Sequence, residues 1–277
     1  MRLGFHSNEL KDASYKIAER IIDSAIKLGF DCGSTFYNAG SLFSDFAELV
    51  KWSNIIVVIG GDGTVLKVAE ICAYNNVPIL AINNGNLGFL TEVGINDVES
   101  ALVKLKKSQY DLENRDMLET KFDGKAYIAL NEVLVARRNR SSVCKLSAYC
   151  DGVYFDTYTG DGLMISTPTG STGYSLSASG PVLSPKLNAF VLTPLCTHSF
   201  NSRAIVFGAN EVLKIKIDGK DDMNCIHIDG RQISNNAVIG TEIEVKKSKY
   251  HATFIRFSES SFYSRLYSKL SDWNKGV

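Results

Sequence analysis

The chain has 277 residues, more than one ordinary domain needs, so two domains or one large one are expected. Hydrophobic residues make up 45% and charged residues 22%, the balance of a folded chain rather than a disordered one. Lys plus Arg equals Asp plus Glu at 30 each, so no overall positive field draws the chain to nucleic acid or an anionic membrane, and any phosphate must be held by local geometry.

In chain order, a short strand is predicted over 3–5. A helix follows over 12–28, where Ile17, Ala18, Ile21, Ile22, Ala25 and Leu28 keep a three-to-four spacing up to Gly29. Residues 54–59 form a β-branched run that reads as a buried strand, followed by a glycine-rich turn, a helix over 65–74 and another strand over 77–82. Strand, helix, strand in that order indicates a parallel, Rossmann-like α/β layer. From about residue 100 the texture changes to short strand-like runs at 127–135, 145–150, 162–166, 204–207, 212–217, 225–228 and 242–245, separated by Asp-Gly, Asn or Gly turns. The expected organisation is an α/β domain over 1–100, an all-β domain over 101–252, and a segment over 253–277. Its helix, with Phe262, Leu266, Leu270 and Trp273 in phase, returns to the first domain.

The apolar runs are too short to span a bilayer and the first residues lack a signal-peptide core, so a cytoplasmic location is expected. The six cysteines form no C-x-x-C pair, which favours reduced thiols. The histidines, His6, His198, His227 and His251, have no metal-ligand spacing, so no side-chain metal cluster is expected.

The sharpest local signal is Gly60-Gly61-Asp62-Gly63-Thr64, between a buried strand and a helix. Glycines let backbone amides approach phosphate oxygens, and a helix N-terminus favours an anion. A carboxylate in such a loop would repel phosphate unless it binds a metal ion or takes a proton from an acceptor hydroxyl. A plain helix cap is the alternative reading of Asp62. The loop lacks the Lys-Ser/Thr of a Walker A sequence and the spacing of G-x-G-x-x-G. It resembles the motif of a superfamily that contains NAD kinases, 6-phosphofructokinases and diacylglycerol and sphingosine kinases.

Three further segments narrow the resemblance: Asn84-Gly85-Asn86-Leu87-Gly88-Phe89-Leu90, Asn131-Glu132, and Thr167-Pro168-Thr169-Gly170-Ser171-Thr172-Gly173-Tyr174-Ser175-Leu176-Ser177. In this order, and running on to Asp229-Gly230, they resemble the signature of NAD kinases. The resemblance implies transfer of the γ-phosphoryl group of ATP, or of polyphosphate, to the 2′-hydroxyl of the adenosine ribose of NAD, with Mg²⁺ arriving on the triphosphate. It implies Asp62 as the catalytic base, and Gly60, Gly61, Gly63 and Thr64 as the phosphate loop. Gly63, Phe89, Asn131, Glu132, Asp161, Thr172, Gly173, Tyr174, Ser175 and Ser177 are the NAD-contacting residues it implies. Phe89 is read either as an adenine neighbour or as a core residue. Gly173 stands where many relatives carry Ala, a change expected to be harmless. Thr159 and Ser142 stand where relatives often offer a basic or imidazole side chain, so pyrophosphate contacts are expected either to be weaker there or to come from Arg137, Arg138 or Arg140, a cluster that reads equally as a solvated turn. The family further implies a homodimer or homotetramer. A lipid kinase and a non-catalytic dinucleotide sensor are the rival readings; the first needs a membrane-docking surface, and the second has no use for a carboxylate at Asp62.

Overall fold

The structure, a computed structural model, describes residues 1–8, 12, 15–37, 40–85, 88–139, 142–197, 202–219, 223–257 and 262–274, without the side chains of 270 and 272–274. The chain forms two units, Met1–Asn114 with Ala252–Val277, and Arg115–His251. The boundary expected near residue 100 falls instead inside a helix whose Ala101, Leu102 and Leu105 belong to the first core. His198, Asn86, Leu87 and Arg140 lie outside the described residues.

The first unit runs β1 (Arg2–Ser7), α1 (Lys16–Lys27), β2 (Asp31–Ser34), β3 (Ser41–Leu42), α2 (Phe46–Trp52), β4 (Ile55–Gly60), α3 (Asp62–Tyr74), β5 (Ile79–Asn83), β6 (Val93–Gly94) and α4 (Val98–Lys106). Strands β3, β2, β1, β4 and β5 lie side by side and parallel. Every residue of β4 and β5 is buried, because helices cover both faces and leave no polar side to alternate with. Leu3, Phe5, Ile55, Val57, Ile59, Leu80 and Ile82 pack with α1 and α4 in one core. On the other face a side chain at Gly4 would strike Ser53, Ile56 and Leu49, so glycine is required for α2 to approach β1. Register places Gly60 opposite Asn83, so the glycine-rich turn and the segment after β5 leave the sheet together at its carboxyl edge.

The second unit is antiparallel. Its remaining strands are β7 (Asp111–Phe122, entering from the first unit), β8 (Lys125–Ala129), β9 (Glu132–Arg137), β10 (Cys144–Cys150), β11 (Val153–Gly160), β12 (Gly162–Ser166), β13 (Ala189–Leu195), β14 (Ile205–Gly208), β15 (Leu213–Asp218), β16 (Asn224–Ile228), β17 (Arg231–Ala237) and β18 (Glu242–Arg256). A short α5 (Tyr174–Ser177) lies between β12 and β13, and α6 (Phe262–Asn274) follows β18. Strands β14, β13, β12, β9, β16 and β17 make one sheet. Strands β11, β10, β15 and β18 make the other layer, and β7 pairs with β18 and β8. The layers share one core, with Val133, Val135, Leu163, Ile165, Phe190 and Ile226 from one side and Leu146, Leu213, Ile215, Ile217, Ile243 and Val245 from the other. The continuous strand expected over 127–135 is broken at Leu130 and Asn131, and β18 runs well past the expected 242–245.

Helix α1 is capped at a distance. The buried Asp12 carboxylate accepts the amides of Ile17 and Ala18 at 2.9 Å each and the Ser7 hydroxyl at 3.1 Å. Asp12→Ala is therefore expected to cost about 2 kcal/mol, seen as earlier loss of helical signal in urea; an unchanged profile would mean the cap is dispensable.

Candidate active site

Asp62 opens α3, and its half-buried carboxylate is fixed from outside the helix. Its two oxygens accept the backbone amides of Phe89 (2.8 Å) and Leu90 (3.0 Å). A carboxylate oxygen accepts up to two hydrogen bonds, so each keeps capacity for a further donor. Gly88 lies against this carboxylate: a Cβ there would collide with Asp62 Oδ1, so a side chain at 88 and the observed carboxylate position exclude each other. The other loop residues have plainer parts. Gly60 ends β4 against the Thr64 side chain, Gly61 precedes the helix, Gly63 is exposed with open space around it, and Thr64 is buried. Phe89 is half-buried, its ring centroid 6.1 Å from that of Phe262 with the Lys269 ammonium 4.7 Å above its face.

In the second unit, Asp229 organises the residues before β9. Asp229 and Gly230, both at positive φ, form the two-residue turn of the β16–β17 hairpin. From that turn the Asp229 carboxylate accepts three amides, those of Leu130 (2.8 Å), Asn131 (2.7 Å) and Glu132 (3.1 Å). The chain breaks off its strand here because these amides serve a carboxylate instead of a ladder. Asn131 Oδ1, Glu132 Oε2 and the hydroxyl of Ser166, opposite Glu132 across the β9–β12 pair, are buried and lack a partner among the described residues. Buried polar atoms are nearly always satisfied, so three orphans on adjacent residues mark a place built for a polar ligand. Burial, and then the charge of Asp229, push the Glu132 carboxyl up to about 8.

The segment 167–177 packs on this place. A Cβ at Gly170 would strike the Asn131 carbonyl, and one at Gly173 would come 3.2 Å from Asn131 Nδ2. An alanine at Gly173 would therefore ask the Asn131 amide to give by a few tenths of an ångström. Many hydroxyls expected to face a ligand are used internally. Thr167 bonds Leu130 O, Thr172 bonds Thr169 O, Ser171 bonds Pro168 O, and the fully buried Ser175 pairs with Thr193. Ser175 thus braces the turn, whereas Tyr174 and Ser177 are exposed. Asp161 is gripped by Arg137 through two bonds, 2.9 and 3.1 Å, which commits Arg137 to Asp161 rather than to a pyrophosphate. Arg138 is exposed and reaches the Met223 sulfur. Sequence reasoning did not single out Gly88, which lies against the Asp62 carboxylate, or Asp229, which holds the amides of 130–132, although both stood inside the motifs above.

Two family profiles match: "ATP-NAD kinase N-terminal domain" over residues 47–110 and "ATP-NAD kinase C-terminal domain" over 130–257. A curated NAD kinase of Clostridium botulinum (strain Loch Maree / Type A3) is 34% identical, with 97% of this chain and 96% of the relative covered. This chain belongs to the NAD kinase family. Among solved structures, an NAD kinase from Archaeoglobus fulgidus in complex with ATP superposes with a TM-score of 0.80 at 26% identity, covering 98% of this chain and 99% of that one. Yeast NADH kinase complexed with NADH shares the fold at a TM-score of 0.88 and 21% identity, with 98% and 87% covered. The α/β unit with its parallel sheet and the antiparallel β unit are the fold of this family.

Two consequences are open to measurement. Gly88→Ala is expected to displace the Asp62 carboxylate and lower turnover by about 10²-fold while the melting profile stays close to wild type; unchanged turnover would mean the carboxylate position is not critical. Glu132 sets a pH slope on stability. Its ordinary value is 4.5, so between there and about 8 the folded chain holds a proton that the unfolded chain releases, and stability falls as pH rises through that window and levels above it. Glu132→Gln should flatten this fall, on the order of a few kcal/mol in the wild type, in urea titrations at pH 5, 7 and 9; parallel curves would refute the shifted carboxyl.

Proposed function

We propose that this chain phosphorylates NAD to NADP with ATP as donor, and that Asp62 is the base. The observation that carries this reading is a carboxylate held by two amides at the head of a glycine-flanked helix, with lone pairs left for a hydroxyl. Membership of the NAD kinase family and the ATP complex of the Archaeoglobus relative support the reaction and its donor. In the reaction the 2′-oxygen of the adenosine ribose bonds to the γ-phosphorus and the bond to the β,γ-bridging oxygen breaks, releasing ADP. The hydroxyl proton passes to Asp62 and then to solvent. A ribose hydroxyl is a weak acid, so a positioned base contributes about 10² to 10⁴ in rate.

The orphaned acceptors of Asn131 and Glu132 and the Ser166 hydroxyl suit the amine edge of an adenine and ribose hydroxyls. Ribose donors would replace the proton that the Glu132 carboxyl otherwise keeps near neutrality. Gly173 lies against Asn131, and by the family resemblance it, Thr172, Tyr174 and Ser177 are candidates for NAD contact, with Asp161 on its Arg137 support for the nicotinamide end. Phe89 stays a candidate for the adenine, which would share the ring face with Lys269. We take Mg²⁺ to be carried by the triphosphate, where it neutralises charge. The family resemblance supports a homodimer or homotetramer, and Ile205 and Val206, exposed on the edge strand β14, offer apolar surface for one. Free cysteines suit a cytoplasmic, reducing setting.

The test incubates purified protein with NAD, ATP and Mg²⁺ and reads NADP with an NADP-specific dehydrogenase. Wild type is expected to make NADP, and Asp62→Asn to lose about 10²-fold or more in kcat with KM for NAD little changed. Near-normal turnover by Asp62→Asn would remove the base from this reading.

A further inference from the structure

We infer that Arg265 of α6, together with Arg256, is a positioning residue for the Asp62 carboxylate; the inference rests on the reading of Asp62 as the base. The connection runs through five consecutive residues. The Gly88 amide donates to Thr91 Oγ1 at 2.8 Å and closes a turn. The next two amides, of Phe89 and Leu90, hold Asp62. The carbonyls that follow are held by the arginines. Arg256 Nη1 donates to Leu90 O at 3.1 Å, and Arg265 Nη1 to Thr91 O at 2.7 Å.

Both guanidinium groups then converge on Glu92. Arg265 Nη2 lies 2.6 Å and Arg256 Nη1 3.2 Å from Glu92 Oε2, and the Phe257 amide donates to Oε1 at 3.0 Å. Arg256 Nε also bonds Glu113 at 2.6 Å, so two arginines face two carboxylates. The Glu92 and Arg265 side chains are only 2% and 10% exposed, which removes most solvent screening. The peptide unit that carries the Leu90 amide and the unit that carries the Leu90 carbonyl are planar neighbours joined at the Leu90 Cα, so fixing the carbonyl leaves only the φ and ψ of Leu90 to turn the amide. A guanidinium fork can serve a carbonyl and a carboxylate at once, which a lysine ammonium cannot do in the same geometry. The same helix touches the segment again through Phe262 beside Phe89 and Lys269 above it.

A contact that merely secured α6 would cost stability without regard to Asp62. The experiment therefore measures NADP formation by the full chain for Arg265→Ala, Arg265→Lys and Asp62→Asn, alone and combined. Arg265→Ala is expected to lower kcat about ten-fold with KM for NAD and ATP within about two-fold, and Arg265→Lys to recover part of the loss. In the Asp62→Asn background the same change should cost less than about two-fold, because the group it positions is gone. Equal losses in both backgrounds, or wild-type kcat in Arg265→Ala, would overturn the proposal. If Arg265→Ala does not fold, Arg265→Lys carries the same comparison between backgrounds. High turnover by Asp62→Asn alone would instead sink the base reading, and this proposal with it.

Discussion

Much of the first unit depends on one constraint, the parallel register that sets Gly60 against Asn83. Neighbouring parallel strands release their chains at the same edge, so the turn carrying Asp62 and the segment carrying Phe89 and Leu90 emerge side by side. The two amides can then reach a carboxylate 27 and 28 residues earlier in sequence. Without that pairing Asp62 would be an acidic residue at a helix start, stabilised by the helix dipole and free to choose among rotamers. With it, the carboxylate has one place, and that place lies against the Cα of Gly88.

The second unit treats two carboxylates in opposite ways. Asp229 receives three amides, while Glu132 is buried with one oxygen lacking a partner among the described residues. Burial raises the proton affinity of Glu132, and the charge of Asp229 adds to it. Hydroxyl donors supply what desolvation removes, so the unpartnered polar atoms of Asn131, Glu132 and Ser166 are the chemistry that a polyhydroxylated molecule would need.

The alternation of strand and helix through 54–82 was legible because buried parallel strands are written as uninterrupted apolar runs. Strands β7, β11 and β17 were not, since they carry charged, aromatic and amide side chains with no clean period of two. The break at Leu130 and Asn131 was hidden for a different reason. Its cause is Asp229, 98 residues from Asn131, and no local pattern encodes a bond of that span. The partner of the Ser175 hydroxyl was hidden too: a hydroxyl-rich segment looks like ligand surface, and only burial shows that this hydroxyl pairs with Thr193.

The cluster of Glu92, Arg256, Arg265 and Glu113 shows why buried charge is informative about more than stability. Burying such groups costs several kcal/mol per ion before their mutual attraction offsets it, and apolar residues of similar volume often do as well. Apolar side chains, however, cannot hold backbone carbonyls. Leu90 O and Thr91 O each receive a charged donor here, and those donors are themselves fixed by a carboxylate that is almost wholly buried. The arrangement specifies the orientation of a short backbone segment, and that segment carries the amides that hold Asp62. Hydrogen bonds in the first unit thus run from a C-terminal helix through the backbone of residues 89–91 to the head of α3.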